Sequence, residues 1–184
     1  TISGSADSEN PTVFTTEASS TFEDSNLAVK IENVTFSGCT AVALNITDGN
    51  VSLENCSLAS NTTTGNGSAL VVCNNACVSA KACEFTLNKA SNGAGLCIRQ
   101  LKTSTTQSDE HIIFSCEDCL FSKNEVSGSG AAVLVEQAAT GGQIRFNNCR
   151  FENNKVTAAG SQAAVLLCNN NTVDTPAPMV FFNA

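Results

Sequence analysis

The sequence predicts an all-β fold, a right-handed parallel β-helix (solenoid) of about six coils. Three observations predict it. One short motif recurs five times, Gly and Asn punctuate the segments between its copies, and no segment carries a sustained helical period. The apolar residues suit narrow stacked layers, because the 184 residues include 10 Phe, one Met and neither Trp nor Tyr.

The first recurring block spans six residues, begins at an apolar or small residue and ends on Phe or Leu. Its five copies end at Phe36, Leu58, Phe85, Phe121 and Phe151. Stacked coils place equivalent residues about 4.8 Å apart, so these side chains are predicted to form one interior stack. The intervals of 22, 27, 36 and 30 residues indicate turns that accept insertions while the strands stay in register.

A second block recurs after four of these copies, at Ser68–Val72, Ala94–Ile98, Ala131–Val135 and Ala163–Leu167. Each repeat is therefore interpreted as two short strands joined by a turn that contains Asn and Gly. The Thr- and Ser-rich stretch 100–110 is predicted to be an exposed loop. Residues 30–184 are assigned to the β-helix, and residues 1–29 to a capping or connecting segment continuous with it in one domain.

Asparagine follows the Phe or Leu position by three residues in four repeats, at Asn61, Asn88, Asn124 and Asn154. A side-chain amide both donates and accepts hydrogen bonds, and Asn tolerates the left-handed backbone of a tight turn. We therefore predict an asparagine ladder; solvent-exposed turn residues are the alternative. Asn61 also begins a sequon, and because a ladder would bury it, we expect it to carry no glycan.

Cysteine occupies one column of the first block, at Cys56, Cys83, Cys119 and Cys149. A spacing near 4.8 Å between Cα atoms lies within the range that a disulfide accepts. Bridges such as Cys56–Cys83 and Cys119–Cys149 are therefore feasible, and a ladder of reduced, buried thiols is the alternative. The pair Cys116 and Cys119 superficially resembles a metal motif, but zinc usually takes four such ligands, so no metal and no cofactor are predicted.

The cysteine content and the glycosylation sequons indicate an oxidising compartment. Ten Cys in 184 residues are typical of secreted proteins. Besides Asn61, the sequons begin at the candidate N-glycosylation sites Asn33, Asn45, Asn50, Asn55, Asn66 and Asn170. The chain is therefore predicted to be secreted, extracellular or at a cell surface, with covalently attached N-glycans.

The charge distribution excludes some partners. A net charge of −8 with nine scattered basic residues disfavours nucleic acid, and no apolar run approaches the ~20 residues that span a bilayer, so no membrane insertion is predicted. Aligned charges alternate in sign from coil to coil, as at Glu54, Lys81 and Glu117. Glu32 aligned with Glu54 breaks this pattern, and solvation is preferred there over a bound cation.

Catalytic residues are not identifiable in the sequence. His111 is the single histidine, and it is interpreted as a solvated loop residue beside Asp109 and Glu110. The six Asp residues form no short-spaced pair of the kind that glycoside hydrolysis uses. No catalytic residue is assigned, and the chain is predicted not to be an enzyme.

The Phe-x-x-Asn motif at 85–88, 121–124 and 151–154, with Gly-Ala-Gly-Leu at 93–96 and Gly-Ala-Ala-Val at 130–133, resembles the chlamydial-type polymorphic outer membrane protein repeat. The resemblance covers roughly residues 30–168. It implies a right-handed β-helix of the pectin-lyase-like superfold that acts at a cell surface in adhesion or as a spacer. The cysteines and sequons suit a secreted version from a microbial eukaryote. No ligand-binding residue transfers, because the motif residues are structural.

The last six residues, 179–184, are predicted to start a further repeat, with Met179, Phe181 and Ala184 facing inward. Such a coil without a polar cap leads to the hypothesis of end-to-end self-association. The predicted function is an extracellular structural or adhesive glycoprotein, as a subunit of a fibril. The alternatives are a cell-surface adhesin passenger fragment that binds surface glycans or proteins, and a carbohydrate-active or glycan-binding β-helix.

Overall fold

The computed structural model describes residues 2–3, 15–16, 28–47, 49–73, 76–99, 112–136, 142–169 and 179–183. The strands in the first half of the chain are β1 Ile2–Ser3, β2 Thr15–Thr16, β3 Ala28–Glu32, β4 Thr35–Ser37, β5 Leu44–Ile46, β6 Asn50–Glu54, β7 Ser57–Ala59, β8 Leu70–Cys73, β9 Cys77–Lys81, β10 Glu84–Thr86 and β11 Lys89–Ala90. The remaining strands are β12 Leu96–Arg99, β13 Ile112–Glu117, β14 Leu120–Ser122, β15 Glu125–Val126, β16 Val133–Glu136, β17 Gln143–Asn147, β18 Arg150–Glu152, β19 Lys155–Val156, β20 Leu166–Asn169 and β21 Met179–Asn183.

Three parallel sheets of six strands each form the walls of the helix. The first sheet has the order β1-β4-β7-β10-β14-β18, the second β2-β5-β8-β12-β16-β20, and the third β3-β6-β9-β13-β17-β21. The chain visits the three sheets in turn and then begins the next coil, so the described strands make six coils. A small sheet, β11-β15-β19, lies between the first and second sheets.

Each coil therefore has three principal strands, where the sequence predicted two. The first recurring block contains the end of a third-sheet strand, a corner and a first-sheet strand. The corner residue has a left-handed backbone in all five copies, with φ between 49° and 56° at Asn33, Asn55, Ala82, Asp118 and Asn148. One left-handed residue redirects the chain, and Asn and Asp adopt this conformation more readily than other residues with a side chain.

A second corner before the second sheet uses glycine. Gly93 has φ of +59°, and a Cβ atom there would lie 2.8 Å from Leu134 Cβ in the next coil. Glycine is thus required both by the backbone conformation and by the close approach of the neighbouring coil. This explains the Gly-Ala pairs that precede the strands of the second block.

The predicted interior stack is present in the first sheet. Phe36, Leu58, Phe85, Phe121 and Phe151 are paired in register. The rings of Phe85 and Phe121 are parallel within 5° with centroids 4.6 Å apart, and Phe151 continues the stack at 5.0 Å. Phe36, Leu58, Phe85 and Phe121 are at most 1% exposed, so this column is the centre of the core.

The third sheet adds aromatic packing that the sequence did not predict. Phe146 packs against Phe114 at 5.9 Å and stacks on Phe182 at 5.0 Å between ring centroids. Phe182 pairs with Phe146, and Phe181 pairs with Arg145, so Phe182 takes the inward position. The prediction that Phe181 faces inward was wrong by one residue, which in a strand exchanges the two faces.

The third-sheet strand β3 starts at Ala28, two residues before the assigned start of the β-helix at residue 30. Within the segment 1–29, the described strands β1 and β2 extend the first and second sheets by pairing with β4 and β5. In the backbone register Ile2 is aligned with Phe36. The predicted loop 100–110 lies outside the described residues.

Candidate functional site

The four asparagines of the predicted ladder lie in one column at the corner between the first sheet and the small sheet. Nδ2 of Asn61 donates to Oδ1 of Asn88, Asn88 donates in the same way to Asn124, and Asn124 to Asn154, each at 3.0 Å. Every Oδ1 along this chain of bonds also accepts a backbone N–H from the preceding coil at 3.1 Å. The first three side chains have no exposed surface, so the column is a continuous polar strip inside the core.

Carbonyl groups complete the ladder. The second hydrogen of each Nδ2 is donated to a backbone oxygen of the preceding coil, from Asn61 to Phe36, Asn88 to Leu58, Asn124 to Phe85 and Asn154 to Phe121, at 2.9–3.2 Å. The N–H of Cys39 donates to Oδ1 of Asn61 and ends the strip. Among the described residues no buried side-chain nitrogen or oxygen lacks a hydrogen-bond partner.

The sequon asparagines have different surroundings. Asn33, Asn50 and Asn55 are exposed, and Asn33 and Asn55 are left-handed corner residues. Asn45 is half-buried. Asn66 is half-buried too; its Nδ2 donates to Glu136 and its Oδ1 accepts from Asn92.

Four residues discussed in the sequence lie outside the described part of the chain, Asn170, His111, Asp109 and Glu110.

The pair Asn66 and Asn92 is a second, short amide contact between coils that was not predicted from the sequence. The signal was available, because Asn-Gly occurs at both 66–67 and 92–93.

The aligned charges form ion pairs across coils. Lys81 lies 3.3 Å from Glu117 and Lys89 lies 4.0 Å from Glu125. Glu32 and Glu54 are aligned as predicted, but the ammonium group of Lys30 lies 2.6 Å from Glu32 and 3.1 Å from Glu54. Hydrogen bonds to Glu32 and Glu54 raise the pKa of Lys30. The hydrogen bond from Lys30 lowers the pKa of Glu32. Lys30 thus provides the positive charge that the sequence analysis did not find.

The cysteine column lies at the corner between the third and first sheets, and all four sulfurs are free thiols. Each thiol donates to the carbonyl two residues earlier in its own coil, at 3.2–3.3 Å from Cys56 to Glu54, Cys83 to Lys81, Cys119 to Glu117 and Cys149 to Asn147. Neither Cys56–Cys83 nor Cys119–Cys149 is bridged in this structure.

Cys116 joins the end of this column from the neighbouring strand β13. Its sulfur is 3.3 Å from that of Cys149, and the sulfurs of Cys116, Cys119 and Cys149 all lie within 4.8 Å of one another. Three thiols at this separation have the chemistry to form a disulfide or to hold a soft metal ion. The short spacing of Cys116 and Cys119 is visible in the sequence, but the sequence did not indicate that Cys149 meets Cys116.

The outer face of the third sheet carries a row of hydroxyl groups. Ser52, Ser79 and Ser115 are aligned on successive coils, with Lys30 before them and Arg145 after them. The serines and Lys30 line a groove of 370 Å³, and the described residues that line it include no Asp or Glu. The groove therefore offers neutral hydrogen-bonding groups beside a lysine that is already paired with Glu32 and Glu54.

These columns define a parallel β-helix, and comparison with known families agrees. The family model described as the right-handed β-helix region matches residues 19–175. The chain therefore belongs to the right-handed β-helix family, and the predicted fold class is confirmed, including its handedness. Comparison with curated proteins and with solved structures gives no match. No helix long and apolar enough to cross a membrane occurs in the described part of the chain.

Proposed function

We propose that this chain is an extracellular structural or adhesive glycoprotein, in which a non-enzymatic β-helix acts as a rigid rod and stacks end to end on a second copy. Right-handed β-helices serve in enzymes and in non-enzymes, so the fold alone leaves the role open. A secreted location is supported by the ten cysteines and the cluster of sequons. The exposed Asn33, Asn50 and Asn55 are the sites proposed to carry glycans.

The edge of the last coil carries the assembly proposal. Within the described residues β21 is the outermost strand of the third sheet, and no described strand pairs with its outer edge. Phe182 stacks on Phe146 and is 53% exposed. A strand edge with an exposed aromatic ring is a template for further pairing.

A second copy is the occupant that fits this edge. The opposite end of the third sheet is β3, whose Val29 and Ile31 are half-buried and pack against the core. Their columns run through every strand of the sheet to Val180 and Phe182. Placing β3 of one copy on β21 of the next continues both columns, and such a contact repeats without closing, which produces a filament.

Negative-stain electron microscopy of the full chain at neutral pH tests this assembly, with analytical ultracentrifugation as a function of concentration. We expect rods that lengthen with concentration and show a regular axial repeat. Phe182→Asp is expected to leave single short rods, because a charge at the contact must be desolvated. Leu87→Asp is the matched control, since Leu87 is 51% exposed on the side of the rod and tolerates Asp at its φ of 59°. Equal assembly of the two variants would contradict end-to-end stacking.

A glycan-binding module is the second candidate, and the serine row favours it. Aligned hydroxyls at the spacing of coils, followed by Arg145, whose guanidinium donates to the neutral amide of Gln143, suit an extended polysaccharide that carries carboxylates or sulfates. Binding of acidic polysaccharides that is weakened by Ser79→Val but not by Ser57→Val, on the first sheet, would support this function. Absence of binding to any acidic polysaccharide would remove it.

A further inference from the structure

The corner thiols occupy equivalent positions in successive coils. Three of them contact a backbone carbonyl of the third-sheet strand of the preceding coil, Cys56 that of Ile31 at 3.4 Å, Cys119 that of Ala80 at 3.6 Å and Cys149 that of Cys116 at 3.7 Å. Ala80 and Cys116 are themselves aligned neighbours on β9 and β13. The two corners therefore have the same geometry, but only Cys149 faces a position that holds a second sulfur.

We propose that Cys116 and Cys149 are a redox-active dithiol that closes to a disulfide between β13 and the following coil, with Cys119 beside it as a third, exchanging thiol. The contact of 3.3 Å between the sulfurs of Cys116 and Cys149 carries this proposal. The disulfide would join two adjacent coils covalently, whether or not the rods assemble.

Accessibility gives the order of the reaction. Cys149 is half-buried, whereas Cys116 and Cys119 are 1% and 2% exposed. Hydrogen bonds from Cys116, and then from Cys119, lower the pKa of the Cys149 thiol. The outermost sulfur is thus the one that is available as a thiolate, which is the nucleophilic form.

The oxidant required is a small dialkyl disulfide such as oxidised glutathione. The Cys149 thiolate attacks one sulfur of this reagent, whose S–S bond breaks and releases one thiolate, leaving a mixed disulfide on Cys149. Cys116 then gives up its proton to solvent and attacks the Cys149 sulfur, which expels the second thiolate. Two protein thiols are oxidised, and one reagent disulfide is reduced to two thiols.

A soft metal ion is the competing occupant of the three thiols, and two observations disfavour it. Hydrogen bonding with Cys116 and Cys149 raises the pKa of Cys119, so a set of three thiolates is costly to form. The carbonyl oxygen of Glu117 lies 3.3 Å from the sulfur of Cys119 and accepts its S–H group. This oxygen would repel a Cys119 thiolate, which a metal bound by all three sulfurs requires and a disulfide between Cys116 and Cys149 does not.

Peptide mapping of the full wild-type chain identifies the bridge. The reduced protein is treated with oxidised glutathione, blocked at its remaining thiols and digested with trypsin and a glutamyl endopeptidase, which separates Cys116 from Cys119 at Glu117. We expect the peptide of Cys149 to be linked to that of Cys116, and reduction to lower Tm by about 5–10 °C.

Variants separate this bridge from its alternatives. Cys149→Ser is expected to abolish the change in Tm on reduction, and Cys119→Ser, the matched control, to retain it, with circular dichroism to verify folding. Three results would overturn the proposal. They are a wild-type bridge mainly between Cys119 and Cys149, no bridge at Cys149 after oxidation, and stoichiometric binding of Cd²⁺ with its thiolate absorption in place of oxidation.

Discussion

The asparagine and cysteine columns both repeat one residue type at one corner of successive coils, yet they bond in different directions. Each buried amide joins its neighbours along the axis at 3.0 Å. Each thiol instead lies 3.2–3.3 Å from a carbonyl of its own coil, and the carbonyl contacts with the preceding coil are longer, at 3.4–3.7 Å. An amide has two donors and an acceptor with two lone pairs, while a thiol is a weak donor. We infer that the asparagines hold the register of the coils and that the cysteines mainly fill space.

The largest effect is expected from Asn88→Ala. The side chain of Asn88 accepts from the backbone N–H and Nδ2 of Asn61 and donates to Leu58 and Asn124. Removing it leaves these buried groups without partners, so the free energy of unfolding should fall by about 3–5 kcal/mol. Urea denaturation followed by circular dichroism measures this, and a loss below about 1 kcal/mol would contradict a register-holding ladder.

Cys83→Ala in the reduced protein makes the matched deletion in the other column. Its thiol donates to Lys81, whose carbonyl loses only a weak partner, and the remaining cost is the small cavity left by one sulfur. We expect a decrease in the free energy of unfolding of about 1 kcal/mol, measured by the same urea titration. A loss equal to that of Asn88→Ala would show that the thiols also hold the coils in register.

Glycan mapping compares a sequon asparagine at the exposed corner before the first sheet with a sequon asparagine in the buried ladder after it. Asn55 and Asn61 both begin sequons, but Asn55 is exposed and Asn61 has no exposed surface. In the chain secreted from a eukaryotic cell, we expect glycans at Asn33, Asn50 and Asn55 and none at Asn61. Enzymatic deglycosylation in water enriched in heavy oxygen marks each former glycan site as a labelled Asp that mass spectrometry locates. An occupied Asn61 would mean that the ladder opens or forms after glycosylation.

The smallest effect is expected from Lys30→Met at the exposed acidic pair. The pKa of Glu32 is lowered by Lys30, so the pair stabilises the fold above the ordinary Glu value of 4.5 and loses this contribution as the pH falls through the lower folded value. Its effect should therefore be present at pH 7 and absent at pH 2. Thermal unfolding of the wild type and of Lys30→Met at both pH values and at two salt concentrations checks this. If the variant changes Tm as much at pH 2 as at pH 7, the effect comes from packing of the lysine methylene groups.

Much of the fold was predictable because stacking repeats the same environment in each coil. The column from Phe36 to Phe151 and the spacing of Asn88 from Phe85 recur in order along the chain, and the structure aligns them. The strand count per coil was not predictable in this way. The left-handed corner residue is Asn in three copies of the block but Ala82 and Asp118 in the other two, so no single residue type marks the corner in the sequence. The block was therefore interpreted as one strand.

The sequence by itself determined the class of fold, the interior column and the asparagine column, because a residue that must match its equivalent one coil away leaves a periodic trace. Only the tertiary structure decided the contacts that do not join equivalent residues of neighbouring coils, and which residues of the last strand face inward. Lys30 reaches both Glu32 and Glu54, Cys149 meets Cys116 as well as the aligned Cys119, and Phe182 turns inward in place of Phe181. Each of these contacts depends on the face of the strand, or the side of the corner, to which a side chain points. A shift of one residue along the chain exchanges the two faces.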